Sequence, residues 1–167
     1  MSKIDNLHDL FVHELSDLYN AEKQLTKALP KMAKAADNAK LAKGFETHLA
    51  ETEDQIAKLD RVFEICEIKP ERVTCEAMKG LIEEGEEAIK EFEKGPLMDV
   101  ALIIAAQKVE HYEISGYGSV ATIAKKLGYT EAERMLNQIK EQERSTDEKL
   151  TELAVNDIND EAFAQAA

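Results

Sequence analysis

Apolar residues recur along this chain at steps of three and four, in long stretches that predict helices. The first runs from about Leu7 to Ala36, with Asp5 or Asn6 placed to cap it. Pro30 lies inside it and is expected to kink or break its last turns. The second runs from about Lys40 to Glu67, marked by Leu41, Phe45, Leu49, Ile56, Leu59 and Phe63, with Pro70 beyond its end. A shorter helix covers about Cys75 to Glu93, with Thr74 as its cap candidate, and Gly95-Pro96 stops the chain there. The fourth pattern runs from about Leu97 to Leu127 and ends at Gly128. Thr130 is placed to cap the last helix, which reaches about Ala154 before a polar tail from Asn156 to Glu161.

The connections order these helices. The first two are joined near residues 37–40 and the last two by Gly128-Tyr129-Thr130, so each pair is predicted to form an antiparallel hairpin. Between the hairpins lie about 30 residues with a short helix of their own. A segment of that length can cross the bundle. The expected fold is therefore all-α: a ferritin-like antiparallel four-helix bundle with a long crossover carrying a short extra helix, in a single domain over residues 1–167. An up-down bundle with an added helix is the other arrangement the pattern allows.

Acidic residues interrupt these apolar stripes. Leu15, Leu18, Glu22, Leu25 and Leu29 share one helix face, as do Leu136, Ile139, Glu143 and Leu150, with Asp147 one turn beyond Glu143. Glu110 and Glu113 fall within the most apolar stretch, Val100 to Ile114. A carboxylate withdrawn from water has to be paired, protonated or bound to a metal. Several converging in one helical core, with few basic residues nearby, point to a cation. On the second helix the candidates are His48 and Glu51, the latter near the edge of the apolar face. Dinuclear sites in bundles take a Glu from each of two helices and Glu-x-x-His from each of the other two. Here Glu110 is followed at the third step by Glu113, Glu143 by Thr146, and His48 precedes Glu51. The candidate ligand set is thus Glu22, His48, Glu51, Glu110, Glu113, Glu143 and Asp147, richer in oxygen than the usual iron pattern, which leaves Mn or Mg open beside Fe. Glu51 and Glu113 read equally well as half-exposed positions. His111 reads as a hydrogen-bonding residue, and Tyr112 and Tyr117 as packing residues. A tyrosine close to such a site would donate a hydrogen bond or carry an electron.

Composition narrows the function classes. The 167 residues carry a net charge of −13, which repels nucleic acid and anionic membrane surfaces. No stretch has the roughly 20 apolar residues that span a bilayer. The first residues, Met1 to Asn6, show no apolar leader. Cys66 and Cys75 lack metal-ligand spacing and read as reduced, buried residues of a cytoplasmic protein rather than a zinc site. The acidic run from Glu83 to Glu87 reads as a solvated helix face. No phosphate loop, Ser-His-Asp set or basic aromatic patch is present.

Several segments resemble the YciE/YciF family of bacterial stress-response proteins, a branch of the ferritin-like superfamily related to rubrerythrins. They are Asp17 to Leu25, His48 to Thr52 with Gln55, Ala106 to Ile114 with Tyr117-Gly118, and Glu143 to Asp147 followed by Leu150 to Ala154. Gln107 to Glu113 is the most specific of them. The resemblance implies a ferritin-like bundle, a homodimer and a stress-linked role, without supplying a reaction. Two functions are expected from the whole. The first is a dinuclear metal centre, iron before manganese or magnesium, acting with a small oxidant such as oxygen or peroxide. The second is a non-enzymatic dimeric stress scaffold whose site is vestigial or empty.

Overall fold

The computed structural model describes residues 4–165; Met1–Lys3, part of the segment read as lacking an apolar leader, and Ala166–Ala167 lie outside them. The described residues form helices α1 (Leu7–Ala35), α2 (Ala39–Ile65), α3 (Glu76–Glu91), α4 (Pro96–Leu127) and α5 (Thr130–Leu153), then a π turn (Ala154–Ile158) and a short α6 (Asn159–Gln165). No helix among them is long and apolar enough to cross a membrane. The bundle is the all-α, ferritin-like arrangement expected from the sequence.

Local chemistry accounts for most of the boundaries. Asn6 caps α1, its Oδ1 accepting from Asp9 N–H at 2.9 Å while its Nδ2 donates to Asp9 Oδ2 at 2.8 Å. Asn38 caps α2 by accepting from Lys40 N–H and Leu41 N–H. Gly128 ends α4 in the left-handed region at φ 85°, where glycine carries no Cβ penalty.

Four expectations are corrected. Pro30 does not break α1, which runs on to Ala35. The ring is exposed and removes a single backbone hydrogen bond, while Leu29 and Ala36 hold the last turns in the core. Cys75, not Thr74, caps α3, its Sγ accepting from Met78 N–H at 3.4 Å. Thr130 is the first residue of α5 and not its cap; Tyr129 takes that place without a side-chain bond. The polar tail is helical, because Ile158 is fully buried and draws residues 154–165 against the bundle.

The core consists of two apolar clusters. Leu18, Leu59, Tyr117 and Ile139 belong to one, and Leu25, Phe45, Val109 and Leu150 to the other. Passing along α1 and α5 leads from the first cluster to the second; passing along α2 and α4 leads the opposite way. Helices α2 and α4 are therefore parallel, and the chain between them has to travel the length of the bundle. It does so through α3, which packs on α1 and α4. The acidic run on α3 is the solvated face expected: Glu83, Glu84 and Glu87 are exposed, Glu84 and Glu86 hold Lys108 and Lys31, each at 2.6 Å, and Gly85 alone of the run is buried, against α4. Gly116 leaves room for Leu18 of α1 against α4, since a Cβ there would meet Leu18 Cδ2 at 2.7 Å.

A buried carboxylate unrelated to the acidic layer fastens the first hairpin. Asp99, 1% exposed in the first turn of α4, accepts from Asp37 N–H and Asn38 N–H, both at 2.8 Å. Its charge also suits a helix N-terminus. Asp99→Ala leaves two donors of the α1–α2 turn unsatisfied and is expected to lower unfolding free energy by about 2–4 kcal/mol. Asp99→Asn, which keeps one acceptor oxygen, should lose about half of that. Urea denaturation of both variants checks the order, and an Asp99→Ala protein as stable as wild type would contradict it.

Candidate metal centre

Between the two apolar clusters, every long helix of the bundle turns polar at the same level. On α1 Glu22 stands between Leu18 and Leu25. On α2 His48, Thr52 and Gln55 stand between Phe45 and Leu59. On α4 Glu110 and Glu113 separate Val109 from Tyr117, and on α5 Glu143 separates Ile139 from Leu150. Glu22, Glu110, Glu113 and Glu143 are each at most 1% exposed, and His48 is 4% exposed. No lysine or arginine is buried among the described residues.

One ligand atom from each of His48, Glu110, Glu113 and Glu143 can be chosen so that all four lie within 4.8 Å of one another. His48 Nε2 is 3.3 Å from Glu110 Oε1 and 4.0 Å from Glu143 Oε2, without hydrogen-bonding geometry in either case. Glu22 borders this group, close enough for its charge to act on Glu113 and for the charge of Glu143 to act on it. Two neutral donors orient carboxylates of the layer: the Tyr117 hydroxyl donates to Glu22 Oε1, and the Gln55 amide donates to Glu143 Oε1. Among the described residues nine buried polar side-chain atoms lack a hydrogen-bond partner, and all nine belong to this layer, among them both oxygens of Glu113, both nitrogens of His48 and one oxygen each of Glu22, Glu110 and Glu143. Buried polar atoms are rarely left orphaned, so their concentration here is a strong departure from ordinary core packing.

Electrostatics agrees with the geometry. Burial first, then the Glu143 charge, pushes the Glu22 carboxyl from 4.5 up to about 8. Burial likewise raises Glu110 well above the carboxylate range, with Glu143 the next cause, and raises Glu113, with the Glu22 charge next. The Tyr117 hydroxyl is raised by burial and by the Glu22 charge. Without a cation the layer therefore holds protons that ordinary glutamates would release at neutral pH. The donor set, one imidazole and hard carboxylate oxygens, fits a divalent metal, and the buried His/Glu group can hold an ion.

The remaining candidates lie at the margin. Glu51 is 28% exposed with Oε2 3.8 Å from His48 Nδ1, and its carboxyl is lowered first by His48. Asp147 is 19% exposed; its Oδ2 lies 3.3 Å from exposed His111 Nε2, and its Oδ1 accepts from Gln107 Nε2 at 3.0 Å. Glu113, which the sequence leaves between core and surface, is fully buried. Tyr117 packs as expected and also bonds a carboxylate. Sequence reading gave no role to Thr52 and Gln55, although polar residues at steps of four and three between Phe45 and Leu59 are a legible signal.

Comparison with known proteins places this architecture. Residues 6–163 match the domain of unknown function family DUF892. Protein YciF of Escherichia coli strain K12 is 52% identical over 161 residues, covering 96% of this chain and 97% of its own. The crystal structure of the E. coli stress protein YciF matches with a TM-score of 0.91 and 51% identity, covering 93% of this chain and 99% of that one. YcfI of Rhodopseudomonas palustris matches with a TM-score of 0.85 and 42% identity, over 90% of this chain and 96% of that one. A protein from Xanthomonas campestris, 21% identical at a TM-score of 0.69 over 89% of this chain and 90% of its own, shares the fold. Family match, near-full-length identity and shared bundle agree, and the chain belongs to the DUF892 family together with the stress protein YciF.

Proposed function

We propose that the acidic layer binds a dinuclear metal centre, iron before manganese or magnesium, and that the protein uses it for redox chemistry with oxygen or peroxide under stress. One observation carries this reading: four glutamates and a histidine are buried together with orphaned ligand atoms and, among the described residues, no buried lysine or arginine. Protons alone can neutralise such a layer, but they leave lone pairs without partners, whereas two divalent cations would use both the charge and the lone pairs. In this reading His48, Glu110, Glu113 and Glu143 are the inner ligands and Glu22 extends the set toward a second ion, with Glu51 and Asp147 available at the margin. A bound iron pair would supply one-electron steps and Lewis acidity toward a small oxidant.

The chain's own residues have separable tasks. Tyr117 and Gln55 orient Glu22 and Glu143 through hydrogen bonds that add no positive charge, so the carboxylates keep their full attraction for cations. The apolar clusters above and below shield the layer from water along the bundle axis. Glu22, Glu110 and Glu113 hold protons in the metal-free protein and release them when metal enters. Every ligand comes from a single chain, so in the homodimer that belongs to this reading each protomer carries a complete centre.

Metal analysis of anaerobically purified protein, followed by Fe(II) titration of the metal-free form, tests the proposal. Wild type should retain two equivalents after desalting, then develop near-ultraviolet ferric absorption on exposure to oxygen or peroxide, faster than buffer. Glu110→Ala and Glu143→Ala should each lose at least one equivalent with the helices intact. Glu83→Ala, on an exposed position of α3, should lose none. Wild type that neither binds iron nor speeds its oxidation leaves the scaffold reading standing.

Two further outcomes are expected. Binding at pH 7 should release protons, up to one from each of the three raised glutamates, measurable with an indicator dye in weak buffer. The metal-free protein should also lose stability as pH rises from 5 to 8. Glu22 protonates at 4.5 when unfolded and at about 8 when folded, so the native state binds more protons throughout that window. Each such group steepens the loss by at most ~1.4 kcal/mol per pH unit. Glu51 is depressed instead; its contribution is lost only as pH falls below the ordinary carboxylate range, outside this window. Saturating metal should flatten the slope and add about 2.7 kcal/mol at a concentration one hundred times Kd. Melting curves at pH 5, 7 and 8 with and without metal decide both points.

A further inference from the structure

A cavity of about 330 Å³ opens between α2 and α5 and ends at the acidic layer. Its apolar wall is formed by Leu41 and Phe45 from α2 with Leu150 and Leu153 from α5, and Thr47, Glu51 and Thr146 complete the lining. Its inner end is His48 and Glu110, both at least nine-tenths buried and both with unpartnered atoms. Its rim carries three lysines, Lys40, Lys43 and Lys149. Lys40 holds Asp157 at 2.6 Å and Lys43 holds Glu46 at 3.1 Å, while Lys149 is near enough to help lower the Glu51 carboxyl. Lys40 and Lys43 are therefore already paired, and Lys149, which makes no ion pair of its own among the described residues, is the lysine placed to meet a ligand.

We infer that this cavity binds a small amphipathic carboxylate, with its anionic head at the lysine rim and its apolar body reaching toward His48 and Glu110. Three features fix that orientation and chemistry. The volume lies at the lower end of small-molecule sites, so the occupant is a short-chain or single-ring compound. The aliphatic walls reward an apolar body by removing it from water. The inner end is acidic and would repel a second anionic group, whereas the rim is the one place along the cavity where lysines gather. Bound this way, the far end of the molecule lies beside the acidic layer. The meaning of the site for chemistry rests on the metal reading above, while binding itself does not.

Gly44 allows the cavity to be closed without touching a candidate ligand. It lines the opening one turn before His48, and a Cβ built there meets nothing within 4 Å. Gly44→Phe should therefore fold, gain helix propensity and fill the mouth. The probe is octanoate, titrated into metal-free protein by calorimetry, with octanol as its uncharged counterpart. Wild type should bind one octanoate saturably, and octanol at least about tenfold more weakly, as expected when a charged contact contributes on the order of one decade of affinity. Lys149→Glu should weaken octanoate and leave octanol unchanged, and Gly44→Phe should abolish binding of both. Iron stoichiometry should be the same in wild type, Lys149→Glu and Gly44→Phe. Absence of octanoate binding, equal affinity for octanol, or binding that survives Gly44→Phe would each overturn the inference. Wild type that loads two irons yet ignores octanoate removes this inference alone; wild type that binds octanoate and no iron removes the metal reading and leaves this site in place.

Discussion

Four carboxylates share one layer of a helical core in which, among the described residues, His48 is the only buried group able to carry positive charge. Everything around that layer is shaped by the need to tolerate it. The apolar clusters on either side supply the burial free energy that holds the helices together against local repulsion. Neutral donors, Tyr117 and Gln55, satisfy some of the oxygens. Acidic residues at the outer margin find their partners elsewhere, as Asp147 does with His111 and Gln107. A lysine in place of Gln55 would quiet the repulsion and would also remove the attraction for a cation.

Much of this was legible in the sequence because helical periodicity reports which residues share a face. Glu22, Glu110 and Glu143 interrupt runs of leucine and isoleucine, and an interruption at that spacing is visible without a structure. Glu113 was less legible because a helical wheel describes a helix with one buried face. Helix α4 packs against α1, α3, α5 and α6, which widens its buried arc until Glu113 falls inside. Helix α2 packs mainly on α1 and α5, so Glu51, at the edge of its stripe, stays partly in water. The same wheel argument thus gave two positions the same standing, and tertiary packing separated them.

Other features depend on pairs that no local pattern reveals. Asp99 looks like an ordinary acidic residue in a first helical turn, and only the arrival of the α1–α2 turn gives its carboxylate two backbone donors. Cys75 reads as a small buried residue, yet its sulfur caps α3 and lies 2.9 Å from the Tyr112 hydroxyl, which donates to Asp17 at 2.6 Å. From Asn156 to Glu161 every residue but Ile158 is polar. Ile158 is the one fully buried residue there, and a single apolar residue is too weak a signal to set against a run of Asn and Asp.

The parallel placement of α2 and α4 has a consequence for how the molecule assembles. Each hairpin can form from contacts close in sequence, and each brings only part of the acidic set: Glu22 and His48 with the first, Glu110, Glu113 and Glu143 with the second. While the hairpins are apart, those carboxylates face water and their charges are screened. Dehydration and repulsion arise together when the two halves dock along the crossover. That step, rather than helix formation, is where the cost of burying these carboxylates falls.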